Sequence, residues 1–408
     1  MAQRSFVIVG AGLAGAKAAE ALRDQGFDGR LTLVGDERNR PYERPPLSKE
    51  YLTGKADRDT VFVHEAAWYA EHDVDLRLGV AVTAIDDGGE HRVRLADGST
   101  IGYDKLLLAT GASPRTLSIP GATARGVRYL RRIEDCEHIK DAIDTGGRIV
   151  VIGAGWIGLE VTAAARQHNV DVTVLETAEL PLLRVLGPEI AVVFADLHRA
   201  HGVDLRLGVT VSEIIEVDGQ VTGVRLGDGT EIAADTVLIG VGAVPNVGLA
   251  QEAGLAVDNG IVVDAGRHTS DPDVFAVGDV ANAHHPLLGR HIRVEHWANA
   301  LNQPAAAAAA MLGNDASYDE LPYFYTDQYD LGMEYTGYVE PGGYDNVVCR
   351  GDLAGREFVA FWLRDNKVLA AMNVNVWDVG DAVKELIRSG RTVDPGALAD
   401  QDRPLAQL

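Results

Sequence analysis

The chain has 408 residues, too many for one ordinary hydrophobic core and about right for two or three domains. Apolar residues make up 46% and charged residues 24%, the balance of a soluble globular protein. A formal net charge of -23 argues against nucleic acid or an anionic membrane as partner, because the field of the whole molecule repels phosphate.

No apolar run is long enough to span a membrane, and no basic and apolar leader precedes the first strand, so no secretory signal is expected. Only Cys136 and Cys349 occur, far apart. That excludes a disulfide framework or a cysteine-rich metal site; no metal is expected, and a reducing cytoplasm is the natural compartment.

The chain enters almost at once a run of Phe, Val, Ile and Val at residues 6–9, which reads as a buried parallel strand. G-x-G-x-x-G follows at Gly10, Gly12 and Gly15, opening a helix expected over 16–25. Gly10 serves the tight turn, Gly12 lets a pyrophosphate approach the backbone, and Gly15 lets helix and strand pack closely. The free N–H groups and positive dipole end of the helix suit phosphate. A second strand at 31–34 ends at Gly35-Asp36-Glu37. An acid here accepts hydrogen bonds from an adenosine ribose, and Asp36 is preferred to Glu37.

The segment P-Y-E-R-P-P-L-S-K at 41–49 is stiffened by three prolines. Ser48 is placed to N-cap a short helix starting at Lys49. As structure this is a rigid loop; as function, Arg44 and Lys49 suit one wall of an anion- or flavin-binding cleft. Strands are expected at 81–86 and 92–95, and Asp97-Gly98-Ser99 reads as a hairpin turn. A buried strand over 103–111 ends in Ala109-Thr110-Gly111, small residues that allow close backbone approach.

The pattern then restarts. Residues 148–152 form a second strand, followed by Gly153, Gly155 and Gly158 in the same G-x-G-x-x-G spacing, with Ile157 inside it. The strand at 172–175 ends in Glu176. Residues 208–211 echo 79–82, Asp228-Gly229-Thr230 echoes 97–99, and the strand leading to Gly242 echoes the one ending at Gly111. This is a domain-scale duplication, and two matched motifs make dinucleotide binding a strong signal.

Beyond it, a strand at 274–277 runs into Gly278-Asp279, whose carboxylate suits ribityl or pyrophosphate-linked hydroxyls. R-V-E-H-W-A-N-A at 293–300 leads to an alanine-rich helix expected over 303–312. From residue 321 the composition changes to aromatic and alternating runs (358–363, 368–376) and a terminal helix over 379–389, an α+β domain with no nucleotide-binding signal.

Together, the two Gly motifs, Ala109-Thr110-Gly111, Val277-Gly278-Asp279, the 41–49 loop, the 293–300 segment and P-Y-F-Y-T-D-Q-Y at 322–329 resemble a known family. They are similar to the flavoprotein ferredoxin reductases that serve bacterial cytochromes P450 and Rieske-type oxygenases. The likeness implies an α/β fold with two Rossmann-like domains, as in glutathione-reductase-like flavoproteins, plus a C-terminal α+β domain. FAD is then expected on 1–112 and 247–320, NADH on 113–246, and the C-terminal domain over 321–408.

The resemblance also implies FAD contacts from Leu13, Ala14, Asp36, Arg44, Pro45, Val82, Arg131, Asp279, Glu295, His296, Trp297 and Tyr325, with Lys49 near the reactive part of the isoalloxazine. It places NADH against the second Gly motif, Glu176 and Gly242. One departure stands out: the family usually carries Trp where this chain has Tyr325, and often at Tyr323. Tyrosine keeps a π-face but adds a titratable hydroxyl, which implies a different rate of partner reduction.

In such a protein the cofactors carry the chemistry and the protein supplies orientation and charge. The helix after Trp297 offers its dipole to the anionic end of a reduced flavin. The family pattern pairs Lys49 with Glu160 near N5; the alternative is that Glu160 is simply an acid favoured near a helix N-terminus. Glu176 argues for NADH, since a carboxylate repels a 2′-phosphate and no basic residue lies between it and Arg184.

Electrons leaving singly suit a [2Fe–2S] ferredoxin, with Arg290 and Arg293 as candidate docking residues. A disulfide reductase would need a cysteine pair, and an NADH oxidase an early redox cysteine; neither is present. Rubredoxin reductase stays open. An apoptosis-inducing-factor-like role is disfavoured by the acidic charge.

Overall fold

Phe6, Val7, Ile8 and Val9 are all buried, and this continuous apolar run is why Ser5–Val9 becomes a central parallel strand. In the computed structural model, which describes residues 3–86 and 91–408, the chain divides into two compact units.

The first comprises Met1–Glu43, Arg58–Ser113 and Ala243–Pro322. Its sheet runs Val274–Ala276, Lys105–Leu108, Ser5–Val9, Arg30–Val34, Val74–Arg77, every neighbour parallel. Alternate residues feed opposite faces. Phe6, Ile8, Leu31 and Leu33 pack with the helices Leu13–Asp24 and Trp297–Met311. Val7, Val9, Leu106 and Leu108 pack with Val93, Leu95 and Ile101 of a small antiparallel sheet.

The two helices differ from expectation at their starts. The first begins at Leu13, three residues early, because Gly12 itself is the N-cap. The alanine-rich helix begins at Trp297, with Pro304 inside it. A proline within the pattern reads as a helix start, but its buried ring is accommodated in the helix interior. The alanines let the two helices lie closely side by side.

The second unit comprises Arg44–Asp57, Pro114–Gly242 and Tyr323–Leu408. Its parallel sheet runs Asp204–Arg206, Asp171–Leu175, Arg148–Ile152, Thr236–Ile239, Val127–Arg128, and the helix Trp156–Gln167 follows its Gly turn. The duplication holds in register: Val9 pairs with Val34 as Ile152 pairs with Leu175.

The remainder of this unit is an antiparallel sheet in the order Tyr323–Gln328, Leu331–Gly337, Lys367–Val374, Glu357–Arg364, Asn346–Asp352, with the helix Gly380–Ser389 against it. The run at 358–363 is buried throughout instead of alternating. Both faces are covered: the helix packs on one, and Phe324, Tyr335 and Trp362 make ring contacts on the other. Trp156 continues that aromatic line onto Phe324, and the Trp362 indole donates to the Leu186 carbonyl at 3.1 Å.

Candidate functional site

The three glycines of the first turn do three different physical jobs. Gly10 has φ +112°, and a Cβ there would sit 2.1 Å from the Ala109 carbonyl oxygen. A Cβ on Gly15 would sit 2.0 Å from the Gly10 carbonyl oxygen. These two are glycine because the fold leaves no room. A Cβ on Gly12 would meet nothing within 4 Å. Gly12 caps the helix without a side-chain bond, and no acid occupies the first turn, so the N–H groups around Leu13 and Ala14 are not matched by a resident anion.

That open cradle fits a dinucleotide pyrophosphate. The second turn repeats the arrangement: Gly153 and Gly158 are closed in at 2.4 Å and 2.3 Å, whereas Gly155 has only the Gly240 oxygen at 3.9 Å. Ile157 lies in the helical turn that follows, 44% exposed.

The acids at the ends of the second strands are not equivalent. Glu176 follows the register pair Ile152–Leu175 directly. Its carboxylate accepts from the N–H of Ala154 at 2.8 Å and of Ala178 at 2.9 Å, and from the Thr177 hydroxyl at 3.0 Å. Gly35 occupies the matching place in the first unit: its N–H bonds Arg77 as that of Glu176 bonds Arg206. A Cβ on Gly35 would lie 2.4 Å from the Ala11 Cβ, so the first repeat carries its acid one residue later, on the exposed Asp36.

The rest of the first unit's set is held by polar partners that sequence reading missed. Thr110 and Asn246 are tied reciprocally: the Thr110 hydroxyl donates to the Asn246 carbonyl at 2.9 Å, and the Asn246 amide donates to the Thr110 carbonyl at 2.8 Å. The Asn246 N–H bonds Gly111. The Gly278 N–H donates to buried Gln303 at 2.9 Å, which shapes the turn before Asp279. The Trp297 indole donates to Glu43 at 3.0 Å, and His296 caps the helix from an extended conformation. Burial lowers the His296 imidazole to about 4. Val82 begins its strand, half-buried. Arg293 is not a surface arginine: its side chain is 10% exposed and bonded to Glu295 at 2.6 Å.

In the second unit, the prolines at 45 and 46 open a single 3-10 turn, Pro45–Ser48. Ser48 ends this turn and is not an N-cap. Its hydroxyl donates to Glu160 at 2.5 Å, since the stiff segment points it into the protein. Lys49 Nζ lies 2.8 Å from the same carboxylate, with side chains only 7% and 3% exposed. Thr326 donates to the other Glu160 oxygen at 2.5 Å. The Lys49 ammonium stands 5.4 Å from the centre of the Tyr325 ring. Arg44 donates to the Arg131 carbonyl, and the backbone of Arg131 is pinned by Asp135. Gly242, with φ +104°, faces open space. Burial raises the Cys136 thiol to about 12 and also raises that of Cys349.

Two helix N-termini with open glycine cradles, each followed by an acid at or just past the end of the next strand, define an oxidoreductase-type α/β protein built for two dinucleotides. A model of the pyridine nucleotide-disulphide oxidoreductase family matches residues 4–304, and a reductase C-terminal model matches 323–408. The chain belongs to the pyridine nucleotide-disulphide oxidoreductase family.

It is 41% identical to putidaredoxin reductase of Pseudomonas putida, covering 100% of this chain and 97% of that protein. It is 43% identical to the ferredoxin–NAD(+) reductase component of the anthranilate 1,2-dioxygenase system of Burkholderia cepacia, covering 98% of each. Among solved structures, the reductase in a covalent putidaredoxin reductase–putidaredoxin complex matches with a TM-score of 0.96 at 41% identity, over 100% of this chain and 98% of that one. The ferredoxin reductase for the CYP199A2 system of Rhodopseudomonas palustris matches with a TM-score of 0.94 at 36% identity, over 99% of both. Among the described residues, no helix is long and apolar enough to cross a membrane.

Proposed function

We infer that this chain is an NADH-dependent ferredoxin reductase. It passes electrons from NADH through FAD, one at a time, to a [2Fe–2S] ferredoxin that serves a cytochrome P450 or a Rieske-type oxygenase. The observation that supports this most is the full-length likeness to reductase components of such systems, joined to a second glycine cradle with its own ribose acid. FAD is assigned to 1–112 and 247–320, NADH to 113–246, and 321–408 is the C-terminal domain. The protein works in the cytoplasm.

When bound, FAD accepts the hydride and releases single electrons. The residues have separate tasks. Gly12, Leu13 and Ala14 hold the FAD pyrophosphate on a helix N-terminus, and Gly155 and Ile157 do the same for NADH. Glu176 accepts from the adenosine ribose of NADH and repels a 2′-phosphate. Lys49 and Glu160 would act at the reacting end: the carboxylate holds the ammonium at 2.8 Å, where it would orient the nicotinamide. The helix begun by Trp297 would offer its positive dipole end to the flavin's anionic edge.

The test is NADH-driven reduction of a panel of [2Fe–2S] ferredoxins and rubredoxins by the yellow holoprotein. Ferredoxin reduction with a higher kcat/KM for NADH than for NADPH is expected. A preference for rubredoxin or for NADPH overturns the corresponding assignment.

A further inference from the structure

Glu160 is a buried carboxylate with every oxygen engaged, and the contact at Thr326 is the end of a longer row. Behind Thr326, the Gln328 amide donates to the threonine hydroxyl at 3.2 Å. The Gln328 oxygen faces His198 Nε2 at 2.9 Å, and the Tyr329 hydroxyl lies 3.3 Å from His198 Nδ1. Thr326, Gln328 and His198 are 0%, 1% and 0% exposed.

The sense of each bond follows from its neighbour. An amide oxygen only accepts, so His198 carries its proton on Nε2, and Nδ1 is left to accept from Tyr329. Gln328 donates to Thr326, so the single threonine hydrogen points at Glu160. Every donor in the row therefore points toward the carboxylate. Oriented bonds of this kind polarise one another in a low-dielectric interior. Burial lowers His198 to about 4, which keeps the imidazole neutral and the row in one sense.

Such a row is costly to desolvate, and apolar side chains of similar volume commonly fill such a space at no loss of stability. It joins a helix, Pro188–Ala200, to a strand more than a hundred residues away in sequence, and it ends on one carboxylate.

We propose that Thr326, Gln328 and His198 are positioning residues that hold Glu160 in one orientation as the partner of Lys49. This rests on the assignment of Lys49 and Glu160 to hydride transfer. Asp327 on the same strand interacts electrostatically with both Lys49 and Glu160, and also with Glu50 and Glu334. The Tyr325 ring lies beside Lys49.

The experiment is rapid-mixing reduction of the holoenzyme by NADH, with Thr326→Val and Gln328→Met as near-isosteric variants. Both are expected to slow flavin reduction about tenfold with KM for NADH unchanged. Thr326→Ser restores the rate. Glu160→Gln is the slow reference. If Glu160→Gln keeps the parental rate, the role of the pair itself fails. If Glu160→Gln is slow but Thr326→Val and Gln328→Met keep the parental rate, the row is mere core structure and the proposal falls. Should Thr326→Val lose its flavin, Gln328→Met alone decides between the two outcomes.

Discussion

At the scale of single residues, Glu176 and Asp36 separate what a motif implies from what a side chain can reach. Glu176 sits at the strand end with three donors fixing its carboxylate. Its remaining lone pairs are therefore aimed, which is what discrimination between two cofactors requires. Glu176→Ala is expected to lower kcat/KM for NADH by about ten- to a hundredfold and to narrow the NADH/NADPH ratio, read by steady-state kinetics with both cofactors. An unchanged ratio would remove Glu176 from the ribose. Asp36 stands one residue beyond the matching strand end, because the closeness of Ala11 forces glycine at 35. The sequence showed the one-residue offset; only the register and the Ala11 contact explain it.

At the scale of elements, the Gly turns are legible in sequence, but their glycines are not interchangeable. Gly10→Ala puts a methyl against the Ala109 carbonyl at a strained φ and is expected to cost about 3 kcal/mol or more. Gly12→Ala meets no protein atom, so the fold loses about 1 kcal/mol or less while the cradle is obstructed. Thermal melts with flavin absorbance distinguish them: Gly10→Ala lowers Tm sharply, whereas Gly12→Ala keeps its secondary structure and loses FAD. Equal behaviour of the two would refute the division of roles.

The same lesson holds at 41–49. Three prolines announced a stiff segment, but the direction of Ser48 depends on Glu160, over a hundred positions away. The start of the helix at Trp297 was hidden because Pro304 reads as a boundary and is not one.

At the scale of the whole molecule, the buried histidines set the acid limit. His198 and His296 are each lowered from 6.5 to about 4 by burial. Between those pH values the unfolded chain takes up protons that the folded chain does not. Stability from these groups is therefore intact above about pH 6.5 and falls as pH drops toward 4. The loss reaches about 2 kcal/mol per histidine by pH 5. The urea midpoint of the holoprotein is expected to fall steadily from pH 7 to 5, and His198→Gln to flatten part of that slope. A midpoint independent of pH over this range would contradict the burial of these imidazoles.

By itself the sequence determined the two dinucleotide units, their order, the acid at or just past the end of each second strand, and the family. These are local signals: a glycine spacing, a period and a strand end are written in neighbouring residues. Tertiary structure alone decided how tightly the turn glycines are closed in, that the Arg293 side chain is largely covered, and that Ser48 and Thr326 meet at Glu160 with Gln328 and His198 in a row behind Thr326. Those facts depend on contacts between segments distant in the chain, set by packing and hydrogen-bond geometry that no local pattern encodes.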